Sequence, residues 1–188
     1  VTRAAFEQIK FLAEKVASVP GHFAEIGVWR GDTFVPMAKF AALHKRKCVA
    51  IDSFEGMDQP TERDRDEHGI LQYQKGCLNG GVEASDRVAA EPNAIVFKGF
   101  VPNVFFQIHL NPFAFVHLDV DQYAPTMAAL DWIWPRLADG GILVAHDWLP
   151  SSKILAAAAI DEWSAKNGLR FNGPLASSHA WIQKGATA

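Results

Sequence analysis

Apolar residues in the first segment, Thr2 to Ser18, recur at three- and four-residue spacing. Phe6, Ile9, Leu12, Ala13 and Val16 share one helical face, and Pro20-Gly21 ends the run. The pattern then changes to short, continuous apolar runs separated by helical stretches. Phe23 to Gly27, Cys48 to Asp52, Ala94 to Lys98, Pro112 to Asp119 and Ile142 to Asp147 predict five buried strands. Asp32 or Thr33 opens a helix through about Lys45, and Val82 to Ala90 reads as a short one. A helical turn is expected near 101–108. Tyr123 to Leu137 reads as a helix with Pro125 in its first turn and a kink at Pro135. Ser151 or Ser152 opens a last helix to about Lys166, ended by Asn167-Gly168. Two short strands, near 169–172 and 178–184, have too few residues between them for a parallel crossover, so they pair antiparallel. Strands alternating with helices predict a doubly wound, mostly parallel sheet covered on both faces.

The chain has 188 residues, within the roughly 100–200 of a single domain, so residues 1–188 are read as one. A 49% hydrophobic share with 21% charged residues excludes a disordered chain. A net charge of −3 offers no basic field for nucleic acid or an anionic membrane. No apolar stretch approaches the roughly 18 residues of a membrane span, and no signal-peptide layout is present. Two cysteines, Cys48 and Cys77, are too few for a disulfide scaffold and suit a reducing cytoplasm. Ser53 to Gly81 stands apart as a long polar connection. It reads either as a lid over a site or as a solvated loop.

Chemistry concentrates at the strand ends, where open α/β sheets bind ligands. Glu25-Ile-Gly27, Asp52, Asp119 with Asp121, and His146-Asp147 all fall there. Gly27 and Gly31 lie in a strand-to-helix turn, which alone is a weak signal. Asp52 follows Gly27 by 25 residues at the next strand tip, where a carboxylate can hold ribose hydroxyls. The turn reads E-x-G-x-x-x-G, with Trp29 and Arg30 inside it. It lacks the G-x-G-x-x-G of a pyrophosphate cradle and the G-x-x-x-x-G-K-S/T phosphate loop. An adenosine ligand without phosphates fits better than a dinucleotide.

Glu25 to Gly31, Asp52-Ser53-Phe54-Glu55-Gly56, His117-Leu118-Asp119-Val120-Asp121-Gln122-Tyr123, Gly140-Gly141-Ile142 and His146-Asp147-Trp148 together resemble the macrocin O-methyltransferase family, over roughly residues 22–150. The resemblance implies a Rossmann-like class I methyltransferase fold: a seven-stranded sheet with an antiparallel C-terminal strand, preceded by an extra N-terminal helix (residues 1–20) that packs on a neighbouring subunit in a homo-oligomer. It implies S-adenosylmethionine as cofactor and a hydroxylated small molecule, such as a sugar of a natural product, as acceptor. By this similarity Glu25, Gly27 and Gly31 border the methionine part and Asp52 holds the ribose. Ser53 and Phe54 flank the adenosine, and Asp119 lies beside the transferring methyl. Relatives bind a divalent cation at positions matching Asp119, His146 and Asp147. The pair after the fifth strand is commonly Asp-Asp, whereas this chain has His-Asp. Magnesium prefers oxygen ligands, so His146 either weakens a Mg²⁺ site, favours a softer metal, or replaces the metal by acting as a base.

A hydroxyl must lose its proton to attack a methyl group, through a general base or Lewis-acid activation. Asp119, Asp121, His146 and Asp147 are the local candidates, with Asp119 or His146 favoured as base. Each also has a plainer reading. Asp121 can cap the helix at Tyr123, His146 can be hydrogen-bonded at a strand edge, and Asp147 can cap a turn before Pro150. His117, inside its strand, reads as structural, and His109 and His179 carry no motif. Tyr123 and Trp148 stack on an acceptor or pack in the core. The competing functions are a dinucleotide-dependent oxidoreductase and a non-catalytic adenosine-binding domain.

Overall fold

The computed structural model describes residues 3–66, 68–149, 155–175 and 178–185. Its seven strands form one sheet: β1 (His22–Ile26), β2 (Cys48–Asp52), β3 (Ala94–Lys98), β4 (Phe113–Leu118), β5 (Leu137–Ala145), β6 (Asn172–Leu175) and β7 (His179–Gln183). The order is β3-β2-β1-β4-β5-β7-β6. The first five strands run parallel, β7 is antiparallel to β5, and β6 is antiparallel to β7. This is the doubly wound sheet with an antiparallel C-terminal strand that the pattern and the resemblance predict.

Each face is covered by helices, which is why the central strands are apolar on both sides. α1 (Arg3–Lys15), α2 (Phe34–Leu43) and α3 (Gly81–Ala89) cover one face, where Ile9, Leu12, Val16, Phe34 and Val88 meet Phe23, Phe115, Ile142 and Val144. α4 (Tyr123–Ile133) and α5 (Leu155–Asn167) cover the other, where Leu130, Ile133, Ile160 and Trp163 meet Ile26, Ile51, Val116 and Leu143. Odd and even strand positions divide between the two cores as pleating requires.

Several boundaries differ from the sequence reading. β5 begins at Leu137 and carries Gly140-Gly141 inside the strand, where β4 pairing shifts register between Phe113 and Phe115. Residues 103–107 and 134–136 are 3-10 turns, the second holding Pro135. α2 ends at Leu43, which is 79% exposed and so outside the buried face. Neither candidate cap bonds the start of α2: Thr33 makes no side-chain cap, and Asp32 pairs with Arg87 at 2.6 Å. Ser151 and Ser152 lie outside the described residues. Among the described residues no helix is long and apolar enough to cross a membrane.

Candidate active site

The strand order reverses between β1 and β4, and this switch opens a crevice at the carboxyl edge of the sheet. Backbone pairing continues one residue past the strands and locks their tips together. Gly27 N–H donates to Ile51 O (2.9 Å), Asp119 N–H to Ile26 O (2.8 Å), His146 N–H to Leu118 O (2.8 Å) and Gly99 N–H to Asp52 O (2.9 Å). Gly27 has φ +84°, and a Cβ built on it would lie 1.8 Å from the Asp119 carbonyl oxygen. The space its missing side chain leaves is therefore taken by the β4 tip rather than by a ligand.

An open cleft lies over these tips, in the place where sheets of this kind bind ligands. Gly27, Asp52, Ser53 and Asp119 form its polar side; Trp29, Met57, Leu78 and Phe100 form apolar walls. The Asp52 carboxylate accepts from Val28 N–H (2.6 Å) and Trp29 N–H (2.8 Å) on one oxygen and from Phe54 N–H (2.7 Å) on the other. A carboxylate offers about four acceptor sites, so Asp52 braces the glycine turn and retains room for one further donor. The Ser53 hydroxyl is used by its own turn, donating to Gly56 O (2.9 Å) and accepting from Glu55 N–H (3.0 Å).

Beside the cleft the tips of β4 and β5 bring Asp119, His146 and Asp147 together. His146 Nδ1 lies 3.1 Å from an Asp119 oxygen and 2.8 Å from an Asp147 oxygen. Neither contact is aligned as a hydrogen bond, and Nδ1 is buried. One donor atom from each residue falls within 4.8 Å of the other two, so the three can close on one cation. Two carboxylate oxygens and an imidazole nitrogen suit a borderline divalent ion such as Mn²⁺ or Zn²⁺ better than Mg²⁺. Burial lowers the His146 pKa, but the Asp119 and Asp147 carboxylates outweigh it and push it up to about 10. Burial pushes Asp119 upward, and its contact with His146 holds it below the usual value.

Asp121 has φ +57° and also lines the cleft. It does not cap α4: Gln122 holds that position without a side-chain bond, and Tyr123 N–H donates instead to Asp64 Oδ1 (2.8 Å). Burial, then the neighbouring charges of Asp119 and Asp147, push Asp121 up to about 8. The Tyr73 hydroxyl lies 3.4 Å from its carboxylate.

A family model described as macrocin O-methyltransferase (TylF) matches residues 1–177. The chain belongs to the macrocin O-methyltransferase family. It is 27% identical over 157 residues to the 8-demethyl-8-(2,3-dimethoxy-alpha-L-rhamnosyl)-tetracenomycin-C 4'-O-methyltransferase of Streptomyces olivaceus, covering 76% of this chain and 59% of that protein. It is 27% identical over 171 residues to the mycinamicin III 3''-O-methyltransferase of Micromonospora griseorubida, covering 80% and 63%. The chain thus spans about three-fifths of the length of these two relatives. The O-methyltransferase NovP superposes with a TM-score of 0.81 at 22% identity, covering 95% of this chain and 78% of NovP. The calicheamicin methyltransferase CalS11 gives 0.78 at 20% identity, covering 96% and 79%. These likenesses fix the class I methyltransferase fold.

Within that family frame, three of the sequence-predicted cofactor residues do not line the cleft. Gly31 packs toward α3, where a Cβ would meet Val88 at 2.9 Å. Phe54 is buried in the core on the α1–α3 side of the sheet. Glu25 is 2% exposed and bonded to His117, with Oε1 2.7 Å from Nδ1. Burial pushes Glu25 up to about 7, against the lowering effect of His117. His179, which carried no motif, is brought to 4.3 Å from the His146 ring. Burial and then the two neighbouring histidines hold it down at about 3, so it is neutral. Its sequence signal is a register one. Ala145 pairs with Ala180, so 146 and 179 face each other, but the β5–β7 partnership must be known first.

Within the 53–81 connection, residues 58–64 form a strap across α4 and α5. The buried Asp64 carboxylate accepts from Thr61 N–H (2.7 Å) and Oγ1 (2.9 Å) as well as from Tyr123 N–H. Arg63 pairs with Glu162, which also accepts from the Tyr123 hydroxyl (2.7 Å). Gln122 Nε2 donates to Asp58 O (3.2 Å). Arg63 stacks on the Tyr123 ring at 4.1 Å, and Trp148 Nε1 donates to Asp161 of α5 (2.8 Å).

Proposed function

We propose that this chain carries the catalytic domain of an S-adenosylmethionine-dependent O-methyltransferase whose acceptor is a hydroxyl on a sugar of a small natural product. One observation carries the reading: Asp119 belongs at once to the cleft over the strand tips and to the Asp119–His146–Asp147 group. Cofactor and acceptor sites therefore meet at a single carboxylate. Support for the acceptor class comes from the family and from the named sugar-methylating relatives.

Asp52, through its remaining acceptor site, would hold a ribose hydroxyl, with Trp29, Met57 and Leu78 enclosing the nucleoside. S-adenosylmethionine supplies the methyl group on its sulfonium. A divalent cation held by Asp119, His146 and Asp147 would supply Lewis-acid polarisation of the acceptor oxygen. Asp121 takes the acceptor proton. It is preferred to Asp119 and His146 because those two are engaged with each other, whereas Asp121 lines the cleft outside that ion pair. Such a base contributes typically 10²–10⁴-fold, and alignment of the reactants roughly 7–11 kcal/mol. The strap excludes water from the site.

The test is a calorimetric titration with S-adenosylhomocysteine and, separately, NAD, followed by a methyl-transfer assay with glycosylated acceptors. Binding of the nucleoside thioether alone, with turnover reduced about 10²–10⁴-fold in Asp121→Asn but cofactor affinity kept, is expected. NAD binding without S-adenosylhomocysteine binding would overturn the reading.

A further inference from the structure

The mechanism leaves one polar cluster unused. On the sheet face covered by α1 and α2, Glu25 of β1 and His117 of β4 stand side by side in register. His117 stacks on His179 of β7, with ring centroids 5.8 Å apart at 25°. His179 in turn meets the His146 ring edge-on, at 4.3 Å and 69°. A continuous file of side chains thus runs from the buried Glu25 carboxylate to the nitrogen that faces Asp119 and Asp147.

This file is costly where it stands. The same sheet face carries Phe23, Phe115, Ile142 and Val144, so apolar residues would pack there. Instead Glu25 Oε2, His117 Nε2 and both ring nitrogens of His179 are buried with no protein hydrogen-bond partner. Burying such atoms without partners is costly, and unsatisfied groups of this kind call for a reason other than stability. Their position supplies one. His146 sits one residue beyond the end of β5, where the sheet no longer holds its side chain. The only ring in contact with its ring at under 5 Å among the described residues is His179. A dication and two carboxylates packed against an apolar wall would be poorly solvated. An imidazole wall supplies dipoles and fixes the ring plane.

We propose that His179, backed by His117 and Glu25, is a positioning residue that turns His146 Nδ1 toward Asp119 and Asp147 and so tunes divalent-cation affinity. The inference rests on the reading of those three residues as a cation site. Outer groups that orient metal ligands change metal affinity by about 10–100-fold when removed, and that is the effect expected here.

The experiment is titration of the whole chain with Mn²⁺ alone, followed calorimetrically and by the paramagnetic resonance of free Mn²⁺. His179→Phe keeps the ring shape and removes both nitrogens. It is expected to weaken Mn²⁺ binding about 10–100-fold, with S-adenosylhomocysteine affinity unchanged and a melting temperature equal to or above wild type. Glu25→Gln, at the far end of the file, is the second variant and is expected to weaken Mn²⁺ in the same direction. It carries the test should His179→Phe fail to fold. Wild-type Mn²⁺ affinity in a folded His179→Phe chain overturns the proposal and makes the ring a spacer. Absence of Mn²⁺ binding by the wild-type chain overturns the cation reading itself.

Discussion

Replacing Gly27 by alanine tests the claim that the tips of β1 and β4 must touch for a site to exist. Two costs combine. The residue has φ +84°, where a side chain costs about 1–2 kcal/mol. The new Cβ would also lie 1.8 Å from the Asp119 carbonyl oxygen, against the 3.0 Å below which real Cβ contacts essentially do not occur, so the tips must part by about 1.2 Å. Forcing extra volume into packed structure adds about 1–3 kcal/mol. The total of about 2–5 kcal/mol corresponds to a fall in melting temperature of about 5–20 °C for a chain of this size. Gly168 is the matched control. It has φ +65° with nothing within 4 Å, so Gly168→Ala bears only the backbone cost, about 2–8 °C. The displacement moves Asp119, and about 1 Å of misplacement can reduce turnover some 10²-fold. Differential scanning calorimetry of both variants, with methyl-transfer rates, makes the comparison. Equal melting temperatures and equal rates for the two alanine variants would refute the close-approach argument.

Further outcomes follow from the same geometry. If Asp121 is the base, turnover climbs with pH as its carboxyl ionises. The limb should vanish from the residual rate of Asp121→Asn in a pH profile of kcat. Glu25 is raised in the folded chain to about 7 from an ordinary 4.5. Its contribution to stability is full below about pH 4.5 and lost as pH rises through 7. Glu25→Gln should therefore melt above wild type at pH 8, and the difference should shrink toward pH 4.5. Asp64→Ala removes the acceptor of three hydrogen bonds from a buried position in the strap. Faster proteolytic cleavage between residues 53 and 81 and a higher KM for the acceptor are expected, with little change in kcat.

Much of the fold was legible because it rests on local pattern. Runs such as Cys48–Asp52 and Phe113–Leu118 are apolar at every position, as strands covered on both faces must be. The linker between β6 and β7 forced their antiparallel pairing. Boundaries failed where tertiary pairing overrode local signals. Gly140-Gly141 reads as a turn but is held in β5 by β4 and β7, with Gly140 N–H bonded to Lys184 O at 2.8 Å. Candidate site residues divided the same way. Asp52, Asp119, His146 and Asp147 follow from their places at strand ends. The cap expected of Asp121 was misplaced because Asp64, 59 positions before Tyr123 in sequence, accepts the first N–H of α4.

The chain by itself determined which side chains stand at the strand tips, because strand period and turn glycines are properties of neighbours in sequence. Only the tertiary structure decided what those side chains face. Glu25 turned into the sheet and met His117, away from the cleft, and His179 arrived beside His146 through an antiparallel pairing 33 residues distant. Parity along a strand tells which face a residue takes. The identity of its neighbour across the sheet depends on strand order, and no local interaction encodes that.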